Sequence, residues 1–191
     1  MQELLSVRQY IYDQFQESSA GPAYFFLPEN ADSYATYYTS MYLIQDTGEA
    51  IHCHVVRDFS SDPLVAYLEF WGVMQAFIIQ QDAISELHRV IIGDRPRQPL
   101  RPAWKRLRVL RNTCAGHPSK RDRGHGVTSP QRSFLSRSFG KLDRVQYEHW
   151  DSSTDQRTHP VVNLRQIIED YDKEASAVLD NVLSTMKSKW K

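Results

Sequence analysis

The stretch DPLVAYLEFWGVMQAFIIQQDAISELHRVII, residues 62 to 92, decides the fold of this chain. Asp62 can cap a helix and Pro63 suits its first turn, so we expect one long helix from there to about Ile92. Its apolar residues cover most of the circumference. Such a helix either lies at the centre of the fold or is also covered by a second copy of the chain, so the pattern also predicts a homodimer.

The segments on either side of this helix show helical spacing as well. On the N-terminal side, residues 2 to 17 predict an amphipathic helix that ends at Gly21-Pro22. A second helix is expected to begin near Asp32-Ser33, and Gly48 is expected to weaken it. Its tyrosines could stack on bases, but aromatic residues at helical spacing more often belong to the core.

Two more helices are expected on the C-terminal side. One begins at Pro102 and runs to about Ala115, where Gly116 is expected to take a left-handed closing conformation. The last, opened by Asn163, is long and amphipathic. The fold class predicted from these segments is mainly α, an antiparallel bundle of four to five helices.

Between the last two helices the sequence loses helical spacing. Residues 119 to 131 are polar and contain glycine, which predicts a loop, and the segments Arg132 to Arg137 and Val145 to Asp151 could pair as a small β-hairpin. We therefore expect a single domain over residues 1–191, with an N-terminal helix and loop over 1–30 and a basic insertion with a possible hairpin over 119–160.

The composition is that of an ordinary globular protein, with 41% hydrophobic and 24% charged residues. No apolar run is long enough to cross a bilayer, and the first residues do not resemble a signal peptide, so a cytoplasmic protein is expected. The two cysteines, Cys53 and Cys114, are far apart in sequence, which indicates neither a disulfide framework nor a thiolate metal site. We expect both to be buried and reduced.

The formal net charge is zero, but the charge is segregated along the chain. The segment from Arg95 to Lys141 contains 13 of the 23 basic residues and a single acidic residue, Asp122. This excess indicates a phosphate-bearing partner such as RNA. The alternative is a solvated basic face that acidic helices elsewhere in the fold balance.

The basic segment contains the sequence Arg-Asn-Thr-Cys-Ala-Gly-His at residues 111 to 117. Because Gly116 and Pro118 should end the helix, His117 can fold back towards the turn that carries Arg111. An imidazole that titrates near neutral pH and a guanidinium suit cleavage of a phosphodiester without a metal or another cofactor, since in RNA the 2′-hydroxyl supplies the nucleophile. The alternative is that Arg111 forms an ordinary ion pair and His117 is a loop residue.

This motif resembles the R-x(4-6)-H motif of the HEPN superfamily, small helical bundles in which a polar residue commonly follows the arginine, as Asn112 does here. The resemblance implies a metal-independent endoribonuclease in which two motifs meet across a homodimer, often within a toxin, abortive-infection or RNA-processing system. It assigns His117 as general acid/base, Arg111 as transition-state stabiliser and Asn112 as the residue that orients either this pair or the phosphate. A toxin role would also imply an antitoxin or another partner protein.

Several other residues are candidates for binding or chemistry. We expect basic residues near the motif to hold RNA: Arg106, Arg108, Lys120, Arg121 and Arg123. The spacing Arg144 to His149 is a second match to the motif, but a hydrophobic residue follows its arginine. The sequence His52-Cys53-His54 is a weak metal candidate. Glu69 could steer the catalytic arginine, although an ordinary ion pair is the more common role for such a residue.

Overall fold

A computed structural model describes residues 1–96, 101–116 and 131–190 of this chain. The α-helices are α1 (Gln2–Glu17), α2 (Ala20–Phe25), α3 (Ala31–Arg57), α4 (Pro63–Ile92), α5 (Pro102–Arg111) and α6 (Leu164–Lys189). A 3-10 turn spans Pro28–Asn30, and a π-helical turn, Asn112–Gly116, continues α5. Within the described ranges no helix combines the length and apolarity needed to cross a bilayer. The mainly helical fold class is confirmed.

Helix α1 spans the residues that the spacing predicts, and two glycines beyond it lie inside helices. Gly21 and Pro22 do not begin a loop but lie inside the short helix α2. Likewise α3 runs through Gly48 without interruption. A β-carbon at Gly48 would lie 2.8 Å from the Leu5 side chain, so the glycine lets α1 approach α3 closely. Packing between the two helices thus outweighs the low helix propensity of glycine.

Helix α4 begins as the sequence predicts and lies at the centre of the fold. The Asp62 carboxylate accepts hydrogen bonds from the backbone N–H groups of Leu64 and Val65, which are otherwise without intrahelical partners. Further along, buried Gln80 donates to the Ile44 carbonyl of α3 at 3.3 Å, and buried Gln81 donates to the Trp104 carbonyl of α5 at 3.2 Å. One helix therefore holds the neighbours on both of its sides.

The direction of α6 corrects the expectation of a purely antiparallel bundle. Going along α4, Phe77 packs against Tyr171 and the Ile91 carbonyl accepts a hydrogen bond from Lys189, so α4 and α6 run parallel. In contrast, α3 and α4 are antiparallel, because a five-residue connection joins them. After α4 the chain returns through α5 and the strands to the opposite end of the bundle. Helix α6 therefore begins at the end where α4 begins and runs in the same direction.

Helix α5 begins without a capping side chain of its own. Instead, the two carboxylate oxygens of Glu174 on α6 accept hydrogen bonds from the backbone N–H groups of Ala103 and Trp104, each at 3.0 Å. The negative charge also faces the positive end of the helix dipole. Glu174 therefore fixes the N-terminus of α5 against α6 as a capping residue supplied from another helix.

Replacing Glu174 by alanine is expected to lower the free energy of unfolding by about 1–2 kcal/mol, because two backbone donors lose their acceptor. Chemical denaturation followed by circular dichroism measures this change. The matched control is Glu169→Ala, an exposed glutamate on the same helix, which should change the free energy by less than about 0.5 kcal/mol. Equal effects of the two substitutions would contradict the capping role.

The insertion before α6 is more extensive than one hairpin. Its strands are β1 (Gln131–Phe134), β2 (Gly140–Lys141), β3 (Arg144–Gln146), β4 (Glu148–Asp151), β5 (Gln156–Thr158) and β6 (Val161–Val162). They form two antiparallel three-stranded sheets with the orders β1-β4-β5 and β2-β3-β6. The two segments expected to form the hairpin contribute β1 and β4, which pair with Arg132 opposite Trp150.

The insertion packs onto the turn between α3 and α4. Phe139 lies 5.2 Å from Phe59 and 5.3 Å from Phe70 between ring centroids. The carboxylate of Asp58, whose φ of 64° lies in the left-handed region, accepts a hydrogen bond from the Leu142 backbone N–H at 3.1 Å. The buried apolar residues of the strands and the helices consequently form one continuous core cluster.

Candidate nucleic-acid site at the end of α5

Arg111 is the last residue of α5, and its side chain spans the gap to α4. Its Nη2 donates to Gln75 Oε1 at 3.2 Å and its Nη1 donates to Asn112 Oδ1 at 3.1 Å. Both acceptors are neutral amides, and within the described residues no carboxylate lies in ion-pair range of this guanidinium. Among the described residues Arg111 therefore does not form the ordinary ion pair that is its alternative role.

The backbone after Arg111 takes a π-helical turn rather than the left-handed closure expected at Gly116. The φ of Gly116 lies outside the left-handed region, and the turn Asn112–Gly116 extends the helix. A β-carbon at Gly116 would stand 2.9 Å from Arg111 Nη1. The guanidinium thus folds back over the α-carbon of Gly116, and a β-carbon there would require this flexible side chain to shift.

Of the predicted catalytic residues, the structure brings Arg111 and Asn112 together. Asn112 is exposed, and its amide oxygen faces the guanidinium. His117 lies outside the described residues, as do Lys120, Arg121 and Arg123. The described part of the site therefore ends at Gly116, one residue before the predicted general acid/base.

The two remaining predicted RNA-binding residues lie on opposite flanks of α5. Residues two apart on a helix point about 200° away from each other, and Arg108 accordingly faces α4 while Arg106 faces the insertion. Arg108 forms an ion pair with Asp82 of α4, so its charge is largely balanced. Arg106 is exposed and, across the described ranges, lies within ion-pair distance of no carboxylate.

A cavity of about 260 Å³ lies beside Arg106, between α5, the strands and the start of α6. Its floor is apolar, with Val109, Tyr147 and Ile167 among the lining residues, and its cations are Lys105 and Arg106. Within the described ranges no acidic side chain lines it. The cavity can accept an apolar or aromatic group that carries or adjoins a negative charge.

The acidic helices balance only part of the basic segment. Arg95 pairs with Glu86 at 2.7 Å, and Arg108 pairs with Asp82, so α4 neutralises two of the cations. Lys105, Arg106 and Arg111 keep their charge without a described carboxylate partner. The structure therefore balances Arg95 and Arg108 with acids of α4 and leaves the charge of these three other cations unbalanced by a described carboxylate.

An exposed apolar stripe runs along the N-terminal half of α4 and ends near Arg111. Leu64, Leu68 and Trp71 are 55%, 65% and 38% exposed and follow one another at helical spacing. Gln75, the acceptor for Arg111, is the next residue on the same face. The apolar residues of α4 therefore belong to two surfaces. Most of them lie in the core, whereas this stripe faces outwards.

Glu69, a weaker candidate, has an ordinary structural role. Glu69 pairs with Arg57 at 2.7 Å and accepts the Ser60 backbone N–H, so it closes the turn between α3 and α4. The pKa of its carboxyl is lowered by these two donors, against an opposing effect of burial. No group of three metal-ligating side chains occurs in the described part of the chain, which includes His52, Cys53 and His54.

The second motif match is split between the two sheets. Arg144 lies in β3, whereas His149 lies in β4, where its Nδ1 is 2.8 Å from Ser133 Oγ. The pair thus lacks the common turn that an active pair would need.

Among the cysteines, Cys114 is buried, and burial raises the pKa of its thiol to about 12. Cys53 is exposed, contrary to expectation.

Sequence reasoning missed Gln75 and the actual role of Gly116. Gln75 is a polar residue in an apolar helix, but nothing in its local sequence indicates which residue it contacts 36 positions away. Gly116 is expected to close the helix in a left-handed conformation, whereas in the structure its α-carbon lies beside the Arg111 guanidinium. The contact with Gln75 depends on how α4 and α5 cross, which is a tertiary feature.

Comparison of the chain with protein-family models, with curated proteins and with solved structures found no match. The resemblance to HEPN proteins accordingly depends on residues 111 to 117 and their surroundings.

Proposed function

We propose that this chain is a metal-independent endoribonuclease of the HEPN kind that acts as a homodimer. The observation that carries the proposal is the Arg111 guanidinium, which two amide oxygens hold in place without a carboxylate to neutralise it. Of its five N–H donors, three have no acceptor among the described residues. An arginine oriented in this way retains the charge and the donors that a phosphate requires.

The proposed reaction uses groups of the RNA itself as nucleophile and leaving group. His117 removes the proton of a 2′-hydroxyl, whose oxygen forms a bond to the adjacent phosphorus while the bond to the 5′-oxygen breaks. The leaving 5′-oxygen takes up a proton from the protonated imidazole of His117, so the products are a 2′,3′-cyclic phosphate and a 5′-hydroxyl. Arg111 stabilises the charge on the phosphorane oxygens, and Asn112 holds the guanidinium.

Basic residues around the motif are proposed to hold the RNA backbone. Arg106 is the best supported of the described ones, because it is exposed, unpaired with acids and beside an apolar cavity that could receive a base. Lys120, Arg121 and Arg123 remain proposed contacts. Arg108 is proposed only as a secondary contact, since a phosphate would have to compete with Asp82 for it.

The homodimer is proposed to form through the exposed stripe of α4. Leu64, Leu68 and Trp71 present an apolar surface to the exterior, and burying such a surface against a second copy is favourable. Because Gln75 continues this stripe, the Arg111 sites of the two copies would lie at the edge of the interface. A toxin or defence role, with an antitoxin or another protein partner, is consistent with this chemistry.

The second candidate is a non-catalytic helical dimer that binds nucleic acid or a partner protein through the same basic surface. The cavity with Lys105 and Arg106 favours it, since this cavity can bind an anionic ligand without any reactive group. RNA binding would then occur without cleavage. Its affinity would fall steeply with salt, as expected for contacts to phosphates.

Incubation of the purified full chain with a structured RNA in excess EDTA distinguishes the two functions. Cleavage is expected in EDTA, with 2′,3′-cyclic phosphate and 5′-hydroxyl ends that mass spectrometry of the fragments identifies. Products with 5′-phosphate ends, or cleavage that EDTA stops, would contradict the proposed chemistry. Intact RNA that binds with a steep salt dependence would favour the binding module instead.

A further inference from the structure

A second cavity, of about 400 Å³, lies between α1 and α3 and contains none of the residues assigned to RNA cleavage. Its lining residues include five tyrosines and one arginine: Tyr12, Tyr34, Tyr37, Tyr38, Tyr42 and Arg8. Among the residues that the structure describes, no acidic one lines it. Its volume lies within the range of small-molecule sites, which are mostly apolar or aromatic with a few placed polar groups.

Arg8 is a buried cation on the wall of this cavity. The residue is 8% exposed, its Nε donates to the Met41 carbonyl at 3.1 Å, and its guanidinium lies 5.6 Å from the Tyr12 ring centroid. Over the part of the chain that the structure describes, no carboxylate lies within ion-pair distance of it. A charge removed from water is costly unless it is paired, so this position favours an anionic ligand.

Tyr37 adds a second polar group without a partner. The residue is 4% exposed, and its hydroxyl is buried with no hydrogen-bond partner in the described chain. Burial raises the pKa of this hydroxyl, and the charge of Arg8 opposes that effect. Both residues line the cavity. The hydroxyl stays protonated at neutral pH and can donate to an anion. Buried polar groups normally have partners, which makes this one notable.

The other tyrosines provide flat surfaces for a ring. Tyr38 and Tyr42 are each about half exposed, with ring centroids 4.7 Å apart. Cages of tyrosine usually attract cations, because the faces of aromatic rings carry negative potential. Here Arg8 repels a cation, so the rings are left to stack on an aromatic or other flat group.

We propose that this cavity binds a small molecule in which an anionic group is attached to an aromatic ring. The anion contacts Arg8 and the Tyr37 hydroxyl, and the ring stacks on Tyr38 and Tyr42. A nucleoside phosphate and an aromatic carboxylate both carry this chemistry. Because the cavity is on α1 and α3, ligand binding there is independent of the function proposed for α5.

Isothermal titration calorimetry of the full chain with two probes, adenosine monophosphate and indole-3-acetate, tests the proposal. At least one probe is expected to bind, and the probe that binds identifies the source of the anion. Its uncharged counterpart, adenosine or indole-3-acetamide, is expected to bind at least tenfold more weakly, because it lacks the partner of Arg8. Failure of both probes at about 1 mM, or equal binding of charged and uncharged forms, would overturn the proposal.

Substitution on the cavity wall completes the test. Tyr38→Ala should weaken binding of that probe about 5- to 150-fold, the range found when a stacking aromatic is removed. The matched control is Tyr10→Ala, which changes a 58% exposed tyrosine on α1 that does not line the cavity and should leave binding unchanged. Tyr38 is itself 51% exposed, so its loss should not unfold the chain. Equal effects of the two substitutions would also overturn the proposal.

Discussion

RNA cleavage by the Arg111→Ala variant is expected to fall about 10²- to 10³-fold, the loss that follows removal of one donor to the transition-state charge. The lysine variant should recover only part of this activity, because an ammonium does not reproduce the planar donors that meet Gln75 and Asn112. The His117→Ala variant should lose cleavage as well. Initial rates on a fluorogenic RNA at saturating concentration measure all three variants.

The loss of cleavage in these variants must be distinguished from a loss of RNA binding or of folding. RNA affinity, measured by fluorescence anisotropy, should change much less than the cleavage rate in Arg111→Ala. Arg89→Ala serves as the matched control, since it removes an arginine that is in a surface ion pair with Glu86, and its cleavage rate should stay within about twofold. Cleavage that persists in both the Arg111 and the His117 variants would sink the catalytic assignment.

Replacing Trp104 by alanine is expected to lower the free energy of unfolding by about 3–5 kcal/mol, as for other fully buried tryptophans. Trp104 is 1% exposed, packs against Tyr171 at 5.7 Å between centroids, and lies where Gln81 and Glu174 hold the backbone of α5. A loss of that size is a large part of the stability of a typical domain. Urea denaturation followed by circular dichroism measures it.

Trp71→Ala is the matched control for this substitution. Trp71 is 38% exposed on the outer stripe of α4, so its loss should cost less than about 1 kcal/mol in a dilute monomer. In the proposed dimer the same change should instead raise the dissociation constant, which analytical ultracentrifugation detects. A Trp104 variant as stable as the Trp71 variant would show that α5 is not anchored by this side chain.

The helices were predictable to the extent that their signals are local. Asp62 caps α4 and Asn163 caps α6, where its side chain accepts the Gln166 backbone N–H at 3.0 Å. Both helices also carry long apolar patterns, so their starts could be found from the sequence. The bounds of α1 match the predicted helix over residues 2 to 17, but Gly21 begins no loop and lies inside α2, and Gly48 lies within an unbroken α3. A glycine that serves close helix packing cannot be distinguished by sequence from one that weakens or ends a helix.

The tyrosines of α3 also show that local sequence signals do not determine the tertiary contacts of a helix. Tyr37 and Met41 are core residues, as helical spacing favours, but Tyr38 and Tyr42 are about half exposed and line the cavity with Arg8. Periodicity defines the apolar face of a helix, whereas the position of the neighbouring helix determines how much of that face is covered. The cavity therefore could not be inferred from α3 alone.

The sequence by itself determined that the chain is mainly helical, that α4 is its longest and most apolar helix, and that basic charge concentrates around residues 95 to 141. Tertiary structure alone decided that α6 runs parallel to α4, that Asp82 balances Arg108, and that Gln75 holds Arg111. The physical reason is the range of the forces involved. Capping and periodicity act within a few residues, while the pairing of a charge depends on which distant segment packs beside it.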